Sequence, residues 1–199
     1  MRKKIIGLTS ATLATLMAPM AEAATLVDTG TPTTLGSALA PGGTLAGKFT
    51  LGSASTITGV QGYIGGAGGH TITVSLFGPG TLPSYANTLQ TTSFTSTGST
   101  GSWQGVSGLN WSLAAGDYWI GFDSNGNDAM GGGSPNPLRS YAYGVGGTFY
   151  PYNVLGFGVQ ITGVTAAVPE PSTWLLMICG IGLVAAANRR RRRARLGLT

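Results

Sequence analysis

Four stretches of the chain place an apolar residue at every second position. They are TLAGKFTLG at 44–52, HTITVSLFG at 70–78, DYWIGF at 117–122 and VLGFGVQITGV at 154–164. A period of two is typical of strands with one buried and one solvated face, so we expect an antiparallel sheet. The residues predicted to face the core are Leu45, Phe49, Leu51, Ile72, Val74, Leu76, Tyr118, Ile120, Phe122, Leu155, Phe157, Val159 and Ile161.

Glycine-rich turns such as GGAGG, GPGTLP and STGSTG separate these stretches. No window keeps a helical period over the length of a helix. Many short strands without helices between them predict an all-β fold, an antiparallel β-sandwich of jelly-roll type, over residues 24–167. Gly59 interrupts the alternation between Ile57 and Val60, which predicts a β-bulge. The alternative, a disordered glycine-rich segment, conflicts with the aromatic content and the regular alternation.

The first 23 residues have the three parts of a secretory signal peptide. A cationic start, MRKK, precedes the apolar stretch IIGLTSATLATLMA, and Ala21 and Ala23 form a small-residue cleavage site. We therefore predict that residues 1–23 are removed and that the mature chain starts at Ala24. An ordinary first core element is the alternative, but it would not need these parts in this order.

A second apolar stretch lies near the other end of the chain, and a basic cluster follows it. Residues 174–187 contain no charge, so we predict a single transmembrane helix. At helical rise this stretch covers only ~21 Å of a ~30 Å hydrocarbon core. Basic residues stay in the cytoplasm, which places the body outside the inner membrane. A terminal core helix is the alternative, but it has no use for such a cluster. The basic residues are Arg189, Arg190, Arg191, Arg192, Arg193 and Arg195.

The net charge of +5 comes from these basic ends. Between Ala24 and Val168 the chain has two basic residues, Lys48 and Arg139, against four aspartates, so the body carries −2. Such a body has no basic stripe that could neutralise phosphates, which excludes a nucleic-acid partner. The single cysteine, Cys179, lies in the apolar tail, so the chain cannot form an internal disulfide.

The titratable residues of the body are too few for most enzyme classes, and the sequence predicts no cofactor. A serine hydrolase would need His70, the one histidine, as its base, but a histidine at the end of a glycine turn is usually only solvated. Asp117 and Asp123 share a face of one predicted strand, but they lie ~20 Å apart at strand rise. That separation is too large for the two carboxylates of a glycosidase.

The loop DSNGND is the most site-like stretch, because it crowds oxygen ligands as a calcium site does. The candidate ligands are Asp123, Asn125, Asn127 and Asp128. An EF-hand does not fit, since Asp128 stands where that loop needs glycine. A hairpin turn around the Asn-Gly pair is the favoured interpretation, and calcium is the alternative.

Three tryptophans follow one another at intervals of eight residues: Trp103, Trp111 and Trp119. Tryptophans can stack on sugars or fill a core. For Trp119, between Tyr118 and Ile120, a place in the core or on a sheet face is favoured. A sugar-binding platform is the alternative.

Two prolines precede the apolar tail and favour an extended segment, which suits a protease that must thread it. The tail resembles the PEP-CTERM sorting signal of Gram-negative bacteria, through this segment, the apolar stretch and the arginine cluster. The resemblance implies export and processing by exosortase, a membrane protease, in bacteria that make exopolysaccharide. The same element is also labelled the C-terminal part of ice-binding proteins. The motif is Val168, Pro169, Glu170, Pro171, Ser172 and Thr173.

The stretch WQGVSGLNWSLAAGDYWIGF resembles a hairpin found in other bodies that precede this signal, and that resemblance implies no activity. From all these features we expect an exported, non-enzymatic protein of the cell surface or extracellular matrix, anchored transiently in the inner membrane and associated with exopolysaccharide. The alternatives are a secreted enzyme acting on polysaccharide and a sandwich that binds carbohydrate or ice.

Overall fold

The structure is a computed structural model that describes residues 23–132, 138, 140–152, 156–166, 176–185 and 188–189. The described residues form twelve strands, and one 3₁₀ turn, Tyr85–Asn87, lies between β5 and β6. The strands are β1 Ala24–Asp28, β2 Thr34–Leu39, β3 Gly43–Leu51, β4 Ser55–Gly66, β5 Thr71–Phe77, β6 Thr88–Thr95, β7 Ser99–Leu113, β8 Gly116–Ser124, β9 Asp128–Gly132, β10 Ser140–Val145, β11 Thr148–Pro151 and β12 Val159–Thr165.

The strands pair into two sheets, and every pairing between named strands is antiparallel. The first sheet has the order β1-β12-β4-β9-β2, with β7 on the other edge of β4, and the second has the order β11-β10-β3-β8-β5-β6. The prediction of an all-β fold of antiparallel sheets is confirmed. The finer jelly-roll connectivity stays a prediction.

The main core lies between the two sheets, where the alternating strands turn their apolar sides toward each other. Phe122 of β8 and Phe157, next to β12, meet there edge to face, with ring centroids 6.3 Å apart. Such a contact joins residues from opposite sheets, so it stabilises the sandwich as a whole. All the residues predicted to face the core are buried, except Leu155, which lies outside the described residues.

A second, smaller apolar cluster covers the outer face of the second sheet. Trp119 points away from the main core, as the alternation predicts, and is fully buried beneath the segment 78–87. Its indole N–H donates to the carbonyl of Gly80 at 3.2 Å, so the loop satisfies the ring's one polar group. The cluster consists of Ala46, Phe77, Trp119, Ala142 and Phe149, with Leu82 packed against it.

The predicted bulge at Gly59 is confirmed. The register between β4 and β7 shifts between Ile57 and Gly59, and the register between β4 and β12 shifts between Thr162 and Gly163, opposite the same place. A Cβ atom at Gly59 would come within 2.7 Å of the Thr162 hydroxyl oxygen, so glycine also relieves a close approach between the two strands.

The two predicted targeting segments lie largely outside the described residues. The signal peptide is outside them through residue 22, and β1 begins at Ala24, the predicted start of the mature chain. Of the predicted transmembrane stretch 174–187, residues 176–185 are helical. That is ~15 Å of helix at 1.5 Å per residue. No helix in the described part of the chain is long and apolar enough to cross a membrane, so the predicted span is not confirmed.

We predict that a fragment from Ala24 to Ala166 folds without either end of the chain. The two sheets bury their apolar faces against each other and need no residue from the tail helix to do so. Circular dichroism should show β structure, and thermal unfolding should be cooperative. A disordered spectrum, or unfolding without a transition, would contradict the prediction.

Candidate functional site

The loop that carries the calcium candidates joins the two sheets at one end of the sandwich. Asp123 is near the end of β8, on the outer face of the second sheet, between Thr44 and Thr73 of the neighbouring strands. Asp128 opens β9 in the first sheet, and its side chain is only 1% exposed. The two carboxylates therefore belong to opposite sheets and are not presented as one set of ligands.

The buried Asp128 carboxylate is held by a histidine from a distant part of the sequence. His70 Nδ1 lies 3.0 Å from Asp128 Oδ2, and the Ser124 hydroxyl donates to the same oxygen at 2.6 Å. A side chain at Gly126 would collide with the His70 ring, so the glycine of the Asn-Gly pair makes room for it. Sequence reasoning missed this contact, because 58 residues separate its partners and no pattern marks it.

The arrangement of these three residues is not that of a catalytic triad. In a triad the serine hydroxyl donates to the histidine, which accepts its proton as a general base. The acid hydrogen-bonds to the other ring nitrogen of that histidine. Here Ser124 and His70 both contact one oxygen of Asp128, and Ser124 is itself only 2% exposed. The cluster ties the turn to the start of β5 and offers no accessible nucleophile.

Two more hydrogen bonds join the same turn to Thr71, one through the Asn125 side chain and one between backbone groups. The N–H of Thr71 donates to Asn125 Oδ1 at 2.8 Å, and the N–H of Asn125 donates to the Thr71 carbonyl at 3.1 Å. Among the residues that the structure describes, no three His, Cys, Asp or Glu side chains converge as metal ligands would. The geometry therefore supports a turn that is held by hydrogen bonds within the fold. The calcium site, which would include the exposed Asn127, stays a prediction.

Asp117 and Asp123 lie near opposite ends of β8, as the sequence predicts, and their surroundings differ. Asp117 accepts a hydrogen bond from the Thr50 hydroxyl at 2.6 Å and pairs with Lys48 at 3.3 Å. Burial raises the pKa of the Asp123 carboxyl above its ordinary value, and a hydrogen bond from Thr73 offsets only part of that increase. A carboxyl with a raised pKa is a functional candidate, but its register partners on the two neighbouring strands are threonines, Thr44 and Thr73.

The three tryptophans occupy three different environments. Trp119 is fully buried under the 78–87 segment, and Trp111 is buried in the main core. Only Trp103 is half-buried, on the outer face of the first sheet, where it meets Tyr63 edge to face with centroids 5.5 Å apart. Of the three, Trp103 is therefore the one that can meet a sugar.

The helix at 176–185 exposes its apolar side chains on all sides. Each large apolar residue in it is more than half exposed, so the helix does not pack against the sandwich. This exposure argues against a terminal core helix. Among the arginines only Arg189 is described, at an exposed helical position, and the others lie outside the described residues, as does the motif from Val168 to Thr173. The exposed apolar residues are Leu176, Met177, Ile178, Ile181, Leu183 and Val184.

Comparison with known families identifies the C-terminal segment. Residues 167–193 match the family described as the PEP-CTERM protein-sorting motif. The match confirms the resemblance predicted from the motif, the apolar stretch and the arginines. The motif implies an exported protein that exosortase recognises and sorts. No curated protein matches the chain.

Among solved structures, the chain is similar to the cysteine protease and lectin-like domains of Cwp84, a surface layer associated protein of Clostridium difficile. The TM-score is 0.53 and the sequence identity 11%, over 66% of this chain. The match spans 33% of the Cwp84 chain, so this chain corresponds to about a third of its length. At this identity the likeness concerns the fold alone.

We predict that Asp123→Asn stabilises the protein at neutral pH but not in acid. Because the folded-state pKa of Asp123 is raised, the folded protein holds the proton to higher pH than the unfolded chain does. The wild-type free energy of unfolding should therefore fall as pH rises from about 4, the ordinary pKa of Asp, through the folded-state pKa. Urea titrations of both proteins across this range should show a gap that opens with pH. Thr73→Val removes the offsetting hydrogen bond, so the fall should become larger and extend to higher pH. Parallel wild-type and Asp123→Asn curves would contradict the prediction.

We predict that His70→Ala destabilises the protein by about 1–3 kcal/mol, because it removes a hydrogen-bond partner from a buried carboxylate. Chemical denaturation measures this loss. A double-mutant cycle with Asp128→Asn should give a coupling energy of about 0.5–3 kcal/mol between the two positions. Ordinary surface substitutions change the free energy of unfolding by less than about 0.5 kcal/mol. If His70→Ala changes it no more than that, the His70–Asp128 contact does not stabilise the fold.

Proposed function

We propose that this chain, which carries the PEP-CTERM sorting motif, is a non-enzymatic protein of the cell surface or extracellular matrix that associates with exopolysaccharide. One observation carries the proposal: the last described strand ends just before the sorting motif begins. β12 ends at Thr165, and the N–H of Ala166 donates to the Ala54 carbonyl at 2.8 Å. The motif match starts at residue 167.

A cut within or after the motif leaves every described strand intact. The last backbone hydrogen bond to the body and the first residue of the motif are adjacent in the sequence, so there is no long linker between them. A membrane protease that acts on the motif therefore works close to the folded body. The cut separates the sandwich from the apolar helix at 176–185 without disturbing the core.

The exposed apolar helix supports transient anchoring. Water does not stabilise a helix that is apolar on all sides, and such a helix needs lipid or protein around it. The arginine cluster that follows keeps the C-terminus in the cytoplasm, and the signal peptide at 1–23 starts export. The sandwich then lies outside the inner membrane until exosortase releases it.

The titratable residues support a non-enzymatic role. Three of the described body aspartates have partners that fix them: Asp28 accepts from the Gly30 N–H at 2.8 Å, Asp117 pairs with Lys48, and Asp128 holds His70. Asp123 has a raised pKa but no second acid or base opposite it on the sheet. Asp28, Asp117 and Asp128 therefore serve the fold through these contacts.

The alternative of a sandwich that binds carbohydrate is compatible with this role and is favoured by one comparison. The Cwp84 structure, similar in fold, is that of the cysteine protease and lectin-like domains of a surface layer associated protein. A surface protein that associates with exopolysaccharide needs such binding, so the two roles join in one protein.

We predict that tail variants stop at different stages of sorting in a host that has exosortase. Wild type should reach the surface with an intact mass that lacks the helix and the arginines. Replacing Pro169, Glu170 and Pro171 with alanine should let the helix continue toward the body and remove the extended segment, so this variant should stay uncut in the inner membrane. Removing Arg189–Arg193 and Arg195 should reduce membrane retention.

Cell fractionation with intact-mass analysis distinguishes these outcomes. Pro79→Ala, in the exposed loop before β6, serves as the matched control and should sort as wild type does. The proposal is wrong if the alanine variant reaches the surface with the wild-type mass, or if wild type at the surface keeps its arginines.

A further inference from the structure

The outer face of the first sheet carries a pair of aromatic rings that no core contact explains. Tyr63 of β4 and Trp103 of β7 are register partners, and their rings meet at 80° with centroids 5.5 Å apart. Both side chains are half-buried, and both point away from the main core, because Gly62 and Ile64 beside Tyr63 face inward. The edge of one ring therefore faces the plane of the other, and both side chains remain partly exposed.

Glycines from three separate segments make room for the Tyr63 side chain. A Cβ atom at Gly101, Gly131 or Gly158 would come within 2.7, 2.5 and 2.8 Å of Tyr63 respectively. Pro32 also borders the positions of Gly131 and Gly158. Side chains at Gly101 or Gly131 would displace the Tyr63 ring, so these glycines let the ring lie against the neighbouring segments.

A row of polar side chains runs across the same face next to the rings. Gln61 lies two residues before Tyr63 on β4, ~7 Å along the strand. Gln160 of β12 is the register partner of Gln61, and Asp28 of β1 is the partner of Gln160. The Gln160 amide donates to Asp28 Oδ1 at 3.3 Å, which orients it, while Gln61 is exposed.

We propose that Tyr63, Trp103, Gln61 and Gln160, here called the aromatic–amide patch, bind uncharged hexopyranose units of a polysaccharide. A pyranose ring has an apolar C–H face, which an aromatic ring covers, and a rim of hydroxyls, which amides bind as both donors and acceptors. The proposal rests on the proposed association with exopolysaccharide and assigns it to one surface.

The charges near the patch favour an uncharged sugar. Asp28 puts a carboxylate at one end of the polar row, and it would repel phosphate, sulfate or uronate groups. Lys48, the one basic residue among the described residues of the sandwich, lies on β3 in the other sheet. An acidic chain would therefore find no cation on this face in the described part of the body.

The test uses the protein as its host delivers it to the surface, with the neutral and acidic fractions of that host's exopolysaccharide as probes. Affinity electrophoresis should show retardation of wild type by the neutral fraction. Trp103→Ala should weaken binding by roughly tenfold or more, and Gln61→Ala by about three- to tenfold. Tyr150→Ala removes a matched aromatic residue, 53% exposed at the edge of the second sheet, and should bind as wild type does.

Several results would overturn the proposal. The proposal is wrong if the neutral fraction does not retard wild type, or if the acidic fraction retards it more strongly. It is also wrong if Trp103→Ala binds as tightly as wild type, or if Tyr150→Ala weakens binding as much as Trp103→Ala does. If Trp103→Ala loses its β-type circular dichroism, its binding is not informative. Gln61→Ala, at an exposed position, then tests the patch: unchanged affinity would overturn the proposal. Fractionation of the same cells separates the two proposals: variants that reach the surface but keep full affinity refute the patch alone, whereas wild type absent from the surface refutes the sorting role.

Discussion

The packing of two sheets across one apolar layer is the interaction on which the rest of this structure depends. With few charged residues in the body, solubility and order both rest on strands that turn threonine, serine and glycine outward and large apolar residues inward. Phe122 and Phe157 show the result, since their rings come from opposite sheets and meet in the middle. A core closed in this way needs nothing from the tail, which leaves the tail available for sorting.

The independence of the sandwich from the tail is what makes the proposed sorting compatible with a stable fold. Ala166 is still hydrogen-bonded to the body, and the sorting motif starts at the next residue. Nine residues, 167–175, separate the sandwich from the apolar helix in the sequence. Under the proposed processing the sandwich survives release and the helix is removed, and the boundary between them lies next to the end of β12. The binding proposed for the aromatic–amide patch lies on a sheet face and is unaffected by the cut.

Local patterns predicted β3, β5, β8 and β12, because a period of two is set by neighbouring residues. The alternation in DYWIGF places Tyr118 and Trp119 on opposite faces, and the structure buries each on its own side. Contacts between distant segments have no such local signal. His70 contacts Asp128 because the start of β5 and the turn between β8 and β9 lie at the same end of the sandwich, and this depends on sheet order. The glycines around Tyr63 likewise come from three separate segments. The sequence therefore could not predict the His70–Asp128 contact or the surroundings of Tyr63.

The sandwich folds apart from the apolar helix, which we propose is held out of water and then removed. Cys179, the only cysteine of the chain, lies exposed in that helix and reports on it directly. A membrane-impermeant maleimide applied to host cells opened to the periplasm should label Cys179 of the unprocessed protein only after detergent is added. Protein isolated from the surface should contain no thiol. Labelling of Cys179 without detergent, or a free thiol in the surface protein, would contradict the account.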